Sequence, residues 1–146
     1  MDQPQKTNAG FIVGGIFSLL LIIIHVIVDA VNYWSSQADF VLWIFQLVLY
    51  FIAAMVSTSS QYQNQMNSDE PLLEIVSAGR GAAMIMAVCM WVYIIIRSIA
   101  LDDPGMFAGI SFVLFIGFMI LDMILAIVFG TGGGKVIENQ HKPASE

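Results

Sequence analysis

Charge is scarce in this chain. Charged residues are 11% of its 146 residues and apolar ones 58%, against about 25% and roughly 45–50% in an ordinary soluble domain. A water-soluble domain of this size is thereby excluded. Bases are scarcer still, five against eleven acids for a net charge of −6, which excludes the basic surface that nucleic-acid binding needs. The single cysteine, Cys89, rules out an internal disulfide framework, a CxxC pair and a sulfur-rich zinc site. There are two histidines, His25 and His141, and no Asn-x-Ser/Thr sequon. With so few histidines and one thiol, no nucleophile constellation can be assembled, so the sequence points away from an enzyme.

What is abundant is uninterrupted apolar sequence. A membrane helix needs about 20 such residues, and four segments supply them, at about 11–31, 39–57, 77–100 and 106–130. The expected fold is an all-α integral membrane protein, a four-helix up-down bundle at 11–131. A short N-terminus at 1–10 precedes it and a flexible tail at 132–146 follows. "LDDPG" is a turn signal between the last two spans. "STSSQYQNQMNSDEPLLEIV" reads as a longer polar connection, with Ser68 or Asp69 as a helix cap and Pro71 in the first turn. The first span is too long for a signal-peptide core and reads as a retained helix. Lys6, Arg80, Lys135 and Lys142 fall on one side and Arg97 on the other. By the positive-inside rule both termini are expected in the cytoplasm of a cell membrane, inner or plasma.

Steps of three and four residues stay on one helix face. In the first span they link Gly10, Gly14, Ser18, Leu21, His25, Asp29 and Asn32 within an arc of about 100°. The face is small at one end and polar at the other, so it is expected to meet protein and leave the remaining Ile, Leu, Val and Phe to lipid. Gly10-xxx-Gly14-xxx-Ser18 and, in the third span, Gly79-xxx-Ala83-xxx-Ala87 are small-xxx-small patterns that let helices approach closely. A bundle this short needs about one such seam, so the second is expected to serve other membrane subunits or a second copy.

The intramembrane polar residues are His25, Asp29, Arg80, Arg97 and Asp122. Depth along ideal helices suggests two ion pairs, Arg80 with Asp122 and Arg97 with Asp29. It separates His25 from Asp122 by about 12 Å. Paired, these charges specify packing; unpaired, Asp122 with His25 and Asp29 is the candidate for a small proton- or ion-coupled transporter.

Met84, Met86, Cys89 and Met90 suggest soft-metal ligands, but their helical angles scatter too widely to share a copper ion. A haem on His25 lacks a second ligand on a facing span, so neither cofactor is favoured and the cofactor question stays open. "GTGGGKV" at 130–136 lacks the spacing of a phosphate loop and reads as a helix stop. Membrane disulfide-forming enzymes need cysteine pairs, di-haem cytochromes four buried histidines, and small multidrug exporters a first-span glutamate; this chain has none of these. The reading is a non-catalytic accessory or scaffolding subunit in a lipid bilayer.

Overall fold

The computed structural model describes residues 9–31, 36–66, 75–100 and 112–141. Four helices occupy nearly all of them: α1 Ala9–Ala30, α2 Ser36–Met66, α3 Val76–Ala100 and α4 Phe112–His141. Each contains a stretch long and apolar enough to cross a membrane, which makes the chain a multi-pass membrane bundle. Hydrocarbon offers no partner to a backbone N–H or C=O, so helices that close every bond internally are the available solution for such sequence.

The helices alternate in direction, and α2 and α3 form the central antiparallel pair. α1 lies against both on one side and α4 against both on the other. The core is built from small residues, Ala53, Ala82, Ala83, Ala87 and Ala126, with Leu21, Tyr50, Met86 and Met90 filling the spaces. Lipid tails are as apolar as these side chains, so contact comes from close packing. Large apolar side chains such as Phe11, Ile16, Leu19, Val113 and Leu114 point outward.

Glycine sets the helix crossings. A Cβ on Gly14 would lie 2.8 Å from the Ala82 carbonyl oxygen of α3, and one on Gly133 would lie 2.5 Å from the Phe51 carbonyl oxygen of α2. Gly79, Gly130 and Gly134 bring α2, α3 and α4 to one crossing around Thr58. The Thr58 hydroxyl is fully buried with no N–H or O–H partner. Its oxygen faces the Cα positions of Gly79 and Gly134, an arrangement suited to weak Cα–H···O contacts.

Two expectations are corrected here. The glycines of "GTGGGK" do not stop a helix: α4 runs through them to His141, so residues 132–141 are helix and not a flexible tail. Each mid-helix glycine costs up to about 1 kcal/mol against alanine, but here the missing side chains admit Phe51 and Ala54 of α2 and Val76 of α3. Likewise α2 does not end near residue 57 but continues to Met66, held where Ser57 Oγ donates to the Ala78 carbonyl at 2.9 Å. The expected cap at Ser68 or Asp69, the "LDDPG" turn and the start of the fourth span at 106 lie outside the described residues.

Candidate functional site

Asp122 is fully buried and is the only polar side chain of α4 between Phe112 and Phe129. Three residues of α2 and one of α3 converge on it. Trp43, Gln46 and Tyr50 are spaced by three and four, which places them on one face of α2. Trp43 Nε1 donates to Oδ1 at 3.2 Å, and Gln46 Nε2 donates to Oδ2 at 3.2 Å. Tyr50 Oη and Trp91 Nε1 each donate to Oδ2 at 2.9 Å. Gln46 also donates to the Tyr50 hydroxyl oxygen, so the phenol accepts from one neighbour and donates to the other. Edge-on contacts with two phenylalanines of α4 orient the indoles, Trp43 on Phe118 at 6.1 Å and Trp91 on Phe115 at 5.5 Å between ring centres.

All four donors are neutral, and Arg80 is not among them. Gly130 packs directly on the Arg80 backbone, and Asp122 lies eight residues, or about 12 Å, further along α4. That is beyond the reach of an arginine side chain whose level is set by Gly130. The pairing expected from depth fails because α4 continues past Gly130, so counting depth from that residue misplaces Asp122. It belongs level with Cys89 and Met90 near the middle of α3.

The second polar cluster lies near the opposite end from the glycine crossing, between α1 and α3. Arg97 Nε donates to Asp29 Oδ2 at 2.7 Å and Arg97 Nη2 to Oδ1 at 3.0 Å, a two-pronged ion pair. Tyr93 Oη also faces Asp29 Oδ2, at 3.4 Å. His25 does not bond to Asp29: its Nδ1 lies 2.9 Å from the Leu21 carbonyl. A carbonyl only accepts, so that nitrogen carries the proton and Nε2 is the acceptor in the neutral ring. The His25 ring meets Tyr93 edge-on at 5.9 Å.

Gly14 packs on Ala82 and Gly130 on Ala83 and Arg80. Counted from these contacts, His25 and Asp122 differ in depth by about 7 Å. The separation is smaller than the expected 12 Å because Asp122 sits deeper than counted. They nevertheless lie on α1 and α4, on opposite sides of the central pair, and do not share a site.

Both small-residue seams turn inward. Gly10, Gly14 and Ser18 are buried in α1, and Ser18 Oγ donates to the Gly14 carbonyl at 2.6 Å. Gly79, Ala83 and Ala87 are buried in α3, where Gly79 and Ala83 meet α2 and α4. Neither seam is left over for a partner, because α4 brings a third set of glycines that needs α3. Met86 and Met90 are core residues, whereas Met84 and Cys89 are half-buried. Among the described residues no group of three or more His, Cys, Asp or Glu side chains could hold a metal ion.

Sequence reasoning missed Trp43, Gln46, Tyr50 and Trp91 as the partners of Asp122. Two signals were present: Gln46 is the strongly polar residue in the middle of the second span, and Trp91 sits too deep for an interfacial anchor. A buried indole N–H and a buried amide both require an acceptor, and Asp122 is the acceptor at their level. Comparison with known protein families, with curated proteins and with solved structures finds no match for this chain.

Proposed function

We propose that the chain is a non-catalytic membrane protein acting through its surface, as an accessory or scaffolding subunit of a larger membrane complex or as a homo-oligomer. The observation that carries this reading is the inward turn of its buried chemistry. Asp122 is surrounded by Trp43, Gln46, Tyr50 and Trp91, and Asp29 is held by Arg97. No polar track joins the two clusters among the described residues. What remains for a partner is the apolar exterior, where Gly15 of α1 and Gly117 of α4 have nothing within 4 Å of a Cβ and leave room for another helix. The cytoplasmic placement of both termini, in a cell membrane, rests on Lys6, Arg80, Lys135 and Lys142.

Native mass spectrometry of the tagged chain, extracted gently from its own membrane, tests the reading. Stable masses containing other polypeptides, or several copies of this one, are the expected result. A bare monomer overturns it.

A second reading, a small proton- or ion-coupled transporter, is supported by one feature: a carboxylate near mid-depth held only by neutral donors. For that reading, Asp122→Asn in proteoliposomes abolishes proton flux that the unaltered chain supports. Absence of flux through the unaltered chain removes it.

A further inference from the structure

We propose that Asp122 is a reversible proton-binding site, able to stay hydrogen-bonded inside the bundle both as carboxylate and as carboxylic acid. A proton bound here is compatible with either reading above and does not require transport.

The donor inventory carries the inference. As a carboxylate, Asp122 accepts from four groups on two other helices. Trp43 and Trp91 are donors only, since an indole N–H has no acceptor role; Gln46 and Tyr50 can act either way. As an acid, Asp122 needs an acceptor for its new O–H. The phenol oxygen of Tyr50 is 2.9 Å away, and the Gln46 amide, turned over, presents its own oxygen to the same place. Both protonation states can therefore be satisfied by turning over the Gln46 amide, alone or together with rotation of the Tyr50 hydroxyl so that the phenol then donates to the amide oxygen, with no helix displaced.

The contrast with Asp29 is sharp. Protonating Asp29 would strand the Arg97 guanidinium, whose side chain is only 8% exposed, without its counter-charge. Protonating Asp122 strands no charge, because its donors are neutral. Among the residues bonded to it, Tyr50 of α2 is the one titratable group; α3 contributes only Trp91. His25 of α1 lies on the other side of the central pair.

The two states differ in how tightly they hold α4. Hydrogen bonds to an ionised oxygen are about twice as strong as neutral ones. The carboxylate draws Trp43 of α2 and Trp91 of α3 onto α4, and the acid relaxes that grip. Binding and release of one proton thus set the attachment of α4 at mid-bundle.

The test is pH-difference infrared spectroscopy on the full chain in lipid vesicles, compared with Asp122→Asn. The expected result is a protonated-carboxyl C=O band that appears at low pH, vanishes at high pH and is missing from the variant. Two of the three tryptophans donate to this carboxylate, so tryptophan emission follows the same midpoint. Trp91→Phe removes a donor that the anion holds more strongly than the acid does, and moves the midpoint upward by about one pH unit. Identical difference spectra from the unaltered chain and Asp122→Asn overturn the proposal. So does a midpoint that Trp91→Phe leaves in place or lowers.

Discussion

Asp29 and Asp122 are both aspartates in apolar helices, yet the bundle treats them differently. Asp29 is neutralised by a charge, Arg97, on the parallel helix α3; Asp122 is solvated by four neutral donors. The difference follows from position. Arg97 is near the end of α3, within reach of the Asp29 carboxylate, whereas among the described residues no cation is bonded to Asp122. The Arg97–Asp29 pair is partly shielded, with side chains 8% and 18% exposed. Arg97→Leu removes one partner and leaves the other nearly buried, so it destabilises the bundle by about 1–3 kcal/mol, below the range for a fully buried pair. The double variant Arg97→Leu with Asp29→Leu regains most of that loss, because no charge is stranded. Unfolding free energies in mixed detergent micelles check both. Equal losses from the single and double variants would show that the pair's charges do not matter.

Among the elements, α4 depends most on its neighbours. Its sequence from Phe112 to Phe129 is apolar all round except for Asp122, so periodicity alone leaves its rotation undefined. Asp122 sets that rotation, and Gly130, Gly133 and Gly134 set how closely α2 and α3 approach. Glycines therefore divide by location and not by helical propensity. Gly133→Ala and Gly14→Ala drive a methyl into a carbonyl oxygen of the facing helix, at 2.5 Å and 2.8 Å, and reduce folded yield and thermal stability. Gly81→Ala, with nothing within 4 Å, stabilises by about 0.5–1 kcal/mol through helix propensity alone. Thermal melts of the three variants in one detergent separate these outcomes. Stabilisation by Gly133→Ala would refute the crossing as described.

At the scale of the whole molecule, the bundle is uneven at one end. Ser57 is level with Ala78 and Gly130 with Arg80, so the ends of α2 and α4 project beyond the start of α3 by about 10 Å. Tyr62 and His141 stack on each other in this projection at 4.0 Å between ring centres. Exposed Gln63, Asn64 and Asn139 give it a polar surface. From this polar surface we expect the membrane boundary to cross α2 before Gln63. In a Cys89→Ala background, a cysteine at Gln63 reacts rapidly with a water-soluble maleimide in intact vesicles open on that side. One at Phe45 does not. Equal labelling at both positions would place the projection in lipid.

Four spans, their approximate positions and the buried stripe of α1 are legible in the sequence, because each is a local property of one helix. Hydrocarbon forces the backbone into helix, and a stripe of Gly10, Gly14, Ser18, Leu21 and His25 in a field of isoleucine and leucine has one face that can meet protein. The partners of Asp122, the direction of the two small-residue seams and the continuation of α4 through its glycines were decided only by tertiary packing. Each depends on which helices touch and at what relative height, and those are set by backbone contacts between residues far apart in the chain. Glycine illustrates the limit: alone it is a helix breaker, and only the carbonyl of Phe51 beside Gly133 makes it the residue that fits.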